Sequence, residues 1–227
     1  MKKIISIMML MIISLSVYAN DIYINQSGAT LDLDVLQDGQ NNTIGSSGTA
    51  SSVIGATTNL AITQIGDSNV MTFDVNGATY TGTFSVTGNS NNIDFNCDSQ
   101  GTNSSCGTAT ASIVWVGSSN DIDIDIGETS SATGATVSIT GASGSDSNVV
   151  LGTIDGNSAI LTLSINGDTN NFLVDIDGDG DSVGHTYVHT HTGSIADVDI
   201  TQSGIYDNMI TLTTSGDNHD IDIIQRD

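Results

Sequence analysis

Three histidines in one short segment are the residues in this chain best suited to binding a metal. His185, His189 and His191 stand in the sequence His-Thr-Tyr-Val-His-Thr-His. In an extended segment every second side chain lies on the same face, so the three imidazoles would share one side. Such a set suits Zn²⁺ or Cu²⁺. The segment also lies in an interruption of the sequence pattern, between Asp179 and Ser194, where polar residues are free to accumulate, and no fourth ligand can be named.

An acidic tract before the histidines offers carboxylates to a harder cation. Asp175, Asp177, Asp179 and Asp181 alternate with Ile and Gly, as at the start of an EF-hand calcium loop. The twelfth position of such a loop would be Thr186, where the bidentate Glu is required. The tract is therefore either a calcium site or a solvated acidic turn. No other cofactor is expected.

Residues 1–19 have the features of a secretory signal peptide. Lys2 and Lys3 precede an apolar run, and Val-Tyr-Ala at positions 17–19 is a suitable cleavage site. The apolar run is shorter than the ~20 residues that a membrane-spanning helix needs. We therefore expect a signal peptide at 1–19 and a single mature domain at 20–227, exported through the periplasm to the cell surface or the medium.

Export bears on the two cysteines, Cys97 and Cys106. They bracket a loop rich in Ser, Gly and Asn, and the chain has no other cysteine. In an oxidising compartment such a pair is expected to form a disulfide. A metal-binding or catalytic pair is the alternative.

The charge of the chain excludes two classes of partner. The sequence has 26 Asp and Glu against 3 Lys and Arg, and Arg226 alone of these cations lies after residue 19. So acidic a surface repels nucleic acid and anionic membranes, and neither is an expected partner.

The segment from Leu60 to Cys97 carries the pattern that organises the chain. Gly66, Gly77 and Gly88 are 11 residues apart, and apolar residues occupy every second position between them. Period two indicates β-strands, and a fixed period between units indicates stacked repeats. The pattern predicts an all-β fold, a β-solenoid of about eight stacked coils of about 22 residues with short loop insertions. The glycines expected at its turns are Gly28, Gly39, Gly66, Gly77, Gly88, Gly117, Gly156, Gly167, Gly178, Gly204 and Gly216.

Buried amides are expected to run along such a stack. Side-chain amides at equivalent positions can bond from coil to coil and strengthen cross-β packing. The predicted ladder residues are Gln26, Gln37, Asn42, Gln64, Asn69, Asn91, Asn120, Asn170 and Gln202.

Two short motifs that contain ladder residues resemble the repeat of a known family. Gln64-x-Gly66-x-x-Asn69 and the same motif from Gln37 to Asn42 resemble the curlin repeat of bacterial curli fibres, and Gln202-x-Gly204 matches it in part. The resemblance implies an extracellular amyloid-like subunit, exported through a dedicated outer-membrane pore, that polymerises with itself, with a curli-type nucleator as a further partner. The chain departs from the family in its Asp content and in the many Gln positions that hold Val, Ile or Trp.

The first and last repeats of the mature chain look uncapped. Ile22-x-Ile24-x-Gln26 opens it and an Ile-x-Ile-x-Gln motif ending at Gln225 closes it, and an uncovered strand edge templates another chain. We therefore expect a fibre subunit for cell adhesion and biofilm matrix. The alternative is a monomeric secreted binding module, a calcium-dependent adhesin or an ice-binding protein. The Thr-x-Thr runs at Thr79–Thr83 and Thr211–Thr213 look too sporadic for ice, and no catalytic motif indicates an enzyme.

Overall fold

The computed structural model describes twelve ranges of the chain. They are residues 21–39, 41–45, 50–66, 68–88, 91–97, 106–117, 120–127, 134–142, 148–156, 158–177, 185–204 and 208–226. Within them every regular element is a β-strand and all paired strands are parallel, so the predicted all-β solenoid is confirmed. The predicted signal peptide lies outside these ranges. Among the described residues no helix is long and apolar enough to span a membrane.

Sixteen strands make up the solenoid, and their lengths follow the alternation of apolar residues. They are β1 (Asp21–Ile22), β2 (Asn25–Asp38), β3 (Thr43–Ile44), β4 (Ser51–Ile65), β5 (Val70–Thr87), β6 (Asn92–Cys97), β7 (Cys106–Val116), β8 (Asp121–Ile126), β9 (Gly134–Gly141), β10 (Val149–Asp155), β11 (Ala159–Asn166), β12 (Asn170–Asp177), β13 (Thr186–Thr192), β14 (Ala196–Ser203), β15 (Met209–Thr213) and β16 (His219–Arg226).

The strands form two stacks, which we call the first face and the second face. The first face contains β1, β3, β6, β8, β10, β12, β14 and β16 together with the opening residues of β2, β4 and β5. The second face contains the remaining parts of β2, β4 and β5, followed by β7, β9, β11, β13 and β15. Strands β2, β4 and β5 are long because each passes from one face to the other without a break.

The solenoid has about six turns that are paired with a neighbouring turn on both sides. The predicted eight coils are a little more than this, because the prediction counted the strands at the two ends as complete coils. A second difference concerns the supposed insertion between Asp179 and Ser194. It contains strand β13, which pairs in register with β11 and β15 and so continues the second face.

The core lies between the two faces and is filled from both. Phe95 on the first face packs against Tyr80 and Phe84 on the second, with ring centroids 4.9 and 5.8 Å apart. Large side chains are accommodated by small neighbours one turn away. Gly141 stands opposite Trp115 in the register, and a Cβ at Gly141 would overlap the indole. Alternation in size therefore keeps so narrow a core close-packed.

Glycine is required at a corner of several of the described turns. A Cβ at Gly66 would collide with the carbonyl oxygen of Gly39 in the preceding turn, and Gly216 has a φ of 120°, which favours glycine. Gly28 and Gly77 differ from the prediction, since β2 and β5 run through them and no tight turn occurs there. Gly193 occupies a corner with a φ of 151° and was not predicted. Gly178 lies outside the described residues.

Candidate functional site

Four buried asparagines form a hydrogen-bonded ladder along the axis of the solenoid. Nδ2 of Asn91 donates to Oδ1 of Asn120 at 2.8 Å, and Asn120 donates in the same way to Asn148 at 2.8 Å. Asn148 then donates to Asn170 at 2.9 Å. All four side chains are buried, so each amide depends on its neighbour in place of water.

Sequence reasoning named three members of this ladder and missed Asn148. The other three follow a turn glycine by three residues, whereas position 145 is Ser. A different sequence signal identifies Asn148: it stands two residues before the inward-facing Val150, as Asn120 stands two residues before Ile122.

The structure places Asn42 and Asn69 at the same register position in earlier turns, but their amides bond to backbone. Asn42 Nδ2 donates to the carbonyl oxygen of Ile65 at 2.7 Å, and Asn69 Nδ2 donates to that of Thr87 at 3.1 Å.

The glutamines form two short pairs, one near each end of the solenoid. Gln64 Nε2 donates to Gln37 Oε1 at 2.7 Å, and Gln225 Nε2 donates to Gln202 Oε1 at 3.2 Å. In both pairs the donor belongs to the later turn. Gln26 is half-buried in the first turn, opposite Val53, and Val, Cys and Ile fill this register position in the turns between it and Gln202.

In the part of the chain that the structure describes, the two end turns have a paired neighbour on one side only. Among the described residues, β1 and β2 pair only with β3 and β4, and β15 and β16 pair only with β13 and β14. Their inward rows are partly exposed: Ile22, Ile24, Leu31, Leu33 and Val35 at one end, and Ile210, Leu212, Ile221 and Ile223 at the other. In the interior, residues at equivalent positions such as Leu60 and Ile62 are buried. Each end therefore presents unpaired backbone groups beside apolar side chains, which is the form of a strand-pairing site.

The three predicted metal-site histidines point into the core, where each has a different neighbour. His185 Nδ1 lies 3.1 Å from Oδ1 of Asn208, His189 Nδ1 lies 2.7 Å from the Tyr187 hydroxyl, and His191 Nε2 lies 2.8 Å from the Gly167 carbonyl oxygen. The rings of His189 and His191 pack against each other, and His219 packs on His191 with its ring centroid 5.4 Å away. Burial is the main cause that lowers the pKa of both, to about 4 for His189. Within the described ranges no group of three or more His, Cys, Asp or Glu is placed to hold a metal ion.

The predicted calcium tract is described only in part. Asp175 and Asp177 lie on the outer side of β12, and the Ser203 hydroxyl donates to Oδ1 of Asp177 at 2.8 Å. Burial, with Asp177 as a smaller cause, raises the pKa of Asp175. Asp179 and Asp181 lie outside the described residues.

Cys97 and Cys106 form a disulfide in the structure, with Cα atoms 5.6 Å apart. Cys97 ends β6 on the first face and Cys106 begins β7 on the second, where it pairs with Gly77. The bond therefore closes the loop between the two faces within a single turn.

Comparison of the chain with protein-family models, with curated proteins and with solved structures found no match.

Proposed function

We propose that the protein is a secreted structural subunit that adds end to end into extracellular fibres of the curli type, serving cell adhesion and biofilm matrix. The observation that carries the proposal is the match between the two open ends. When the register is followed through the stack, inward residues of the last turn on both faces have counterparts of the same chemistry in the first.

On the first face the match extends to the amides. Ile221 and Ile223 occupy the register positions of Ile22 and Ile24, and Gln225 occupies that of Gln26. A following subunit stacked in register would thus place its Gln26 amide on Oε1 of Gln225. That bond runs in the same direction as the bond from Gln225 to Gln202 within the chain.

On the second face the match is apolar. Leu33 and Val35 of β2 occupy the register positions of Ile210 and Leu212 of β15. Joining the ends would bury both rows and would pair the free edges of four strands. Because one end binds the other and not itself, the contact is head-to-tail and generates an open filament.

Electron microscopy, light scattering and thioflavin binding of the chain from residue 20 test this proposal. Replacing Leu212 with Lys puts a charge at the apolar junction, where burial costs several kcal/mol, so elongation should slow by more than tenfold. The matched control is Thr213→Lys, the same change on the adjacent, outward-facing residue of β15. We expect its filaments to grow at close to the wild-type rate.

Persistent wild-type monomer over days at high concentration and in salt would overturn the fibre proposal and favour a monomeric binding module. Equal slowing by both lysine variants would show that added charge, and not burial at the end turn, controls growth.

A further inference from the structure

The two faces of the solenoid differ in charge. On the first face, outward positions carry most of the described acids: Asp74, Asp94, Asp121, Asp123, Asp125, Asp155, Asp175, Asp177, Asp197, Asp199, Asp220 and Asp222. The second face carries Asp32, Asp34 and Asp38 in its first strand and no Asp, Glu, Lys or Arg in its strand residues from Thr57 to Thr213.

Hydroxyl groups replace charge on the outer side of the second face. One register position is occupied in successive turns by Thr81, Thr110 and Thr136, and the position two residues on by Thr83, Ser112 and Ser138. Exposed aliphatic side chains lie among them, with Val114 39% and Val116 42% exposed. Side chains this small form a low-relief sheet surface on which a second such sheet can pack at ~10 Å.

We propose that this uncharged surface binds a second copy of the chain, so that two solenoids pack second face to second face. The charge distribution selects this face, because any contact through the first face would bring two rows of carboxylates together. The charge-free part is seven strands wide at ~4.8 Å per strand and about nine residues long at ~3.3 Å per residue. Its area is therefore on the order of 1,000 Å². A stable interface needs about 800 Å² from each partner.

The acids of β2 fix the relative direction of the two copies. In a parallel pair Asp32, Asp34 and Asp38 would face their own equivalents. A two-fold axis along the strands reverses the order of the turns and keeps the register position, so Asp34 would face Thr211 of β15. The antiparallel pair therefore avoids the repulsion, and it is the arrangement we infer.

This contact is distinct from end-to-end growth, so the two are tested separately. Sedimentation velocity of the Leu212→Lys chain, in which growth is blocked, should show a dimer at ~0.15 M ionic strength, where charges beyond ~8 Å are screened. Adding Thr110→Asp and Thr136→Asp should raise the dimer dissociation constant at least tenfold, while circular dichroism and melting temperature show that the fold is kept. The matched control is Thr153→Asp, the same exchange at an exposed position of β10 on the first face, and it should leave the dimer intact.

A bifunctional thiol reagent tests the direction. In the antiparallel pair Thr83 of β5 faces Thr162 of β11, two positions that an end-to-end stack keeps several strands apart. Chains with Thr83→Cys mixed with chains with Thr162→Cys should therefore cross-link to each other, and neither should cross-link to itself. Self-cross-linking of each variant would overturn the antiparallel arrangement. Wild-type and Leu212→Lys chains that both stay monomeric would overturn the lateral contact. Thermal hysteresis in such a monomer would also overturn the lateral contact if the Thr110→Asp, Thr136→Asp variant lost the hysteresis, because the second face would then bind ice. None of these outcomes depends on whether filaments grow from the ends.

Discussion

The Tyr187 hydroxyl lies 2.7 Å from Nδ1 of His189 inside the core, and the two residues are two positions apart on one strand. Burial raises the pKa of Tyr187 well above its usual range, so the phenol stays neutral in its hydrogen bond with the imidazole. Burial lowers the pKa of His189 and so keeps its imidazole neutral, with the ring of Phe172 edge-on at 4.8 Å. A protonated imidazole here would be a buried cation close to His191 and His219.

We expect His189 to make the folded protein less stable as the pH falls from about 6.5 to about 4. In the unfolded chain His189 takes up a proton near its ordinary pKa of 6.5, whereas burial and the neighbouring His191 and His219 lower its folded pKa to about 4. The unfolded state then binds more protons, so the unfolding free energy falls by up to about 3 kcal/mol across this window. Urea unfolding of wild type and of His189→Phe at several pH values measures the effect. An unchanged pH dependence in the variant would contradict it.

Asp94 on the first face should have the opposite pH dependence. Burial raises the pKa of Asp94, and the charges of Asp74, Asp125 and Asp121 raise it further. The folded state therefore binds the proton more readily than the unfolded state, and stability rises as the pH falls through the folded pKa.

Asp94→Asn should accordingly stabilise the protein at pH 7 by less than about 1 kcal/mol, because the carboxyl is partly solvated. The gain should shrink in acid. Asp222→Asn on β16 is the control, since that strand has a neighbour on one side only. Thermal unfolding at pH 7 and in acid compares the two variants, and an equal gain at both pH values would exclude the charge effect.

Breaking the asparagine ladder should destabilise the core. Asn120→Ala removes the side-chain acceptor of Asn91 Nδ2 and the side-chain donor to Asn148 Oδ1, so each of these buried amides loses one hydrogen bond, at about 1–3 kcal/mol each. Asn92→Ala, one residue after Asn91 and exposed on the first face, is the matched control. Denaturant unfolding should show a large loss for the first variant and close to none for the second. A similar loss in both would mean that the ladder contributes no specific stability.

Removing the disulfide should lower stability without preventing assembly. Cys97→Ser with Cys106→Ser frees a short loop, and we expect a loss of up to about 2–3 kcal/mol. Since the bond lies within one turn and far from the end strands, filament growth should continue at temperatures below the new melting point. Loss of fibres by a fully folded variant would show that the bond acts on assembly itself.

The alternation of apolar residues was enough to predict the strands and the solenoid, because a buried face in a parallel stack requires period two. It could not decide which side of a strand is buried where polar residues alternate too. His185, His189 and His191 do share a face, but that face is the core, because β13 continues the register of β11.

The hydroxyl-rich second face could not be recognised from single strands for a related reason. Thr-x-Thr runs are short and scattered along the sequence, yet stacking aligns separate residues such as Thr110 and Thr136 into rows. That alignment depends on the register between turns, which insertions of variable length hide from the sequence.

The fluorescence of Trp115 reports on the unfolding of the central turns. Trp115 is the chain's single tryptophan, fully buried in β7, with three further strands stacked beyond it on one side and four on the other. In stacked repeats the end units open first, because each has only one neighbour. Indole fluorescence should therefore stay constant while end strands fray and change only when the central turns separate. A gap between the fluorescence and circular dichroism transitions would measure how far opening spreads from the ends.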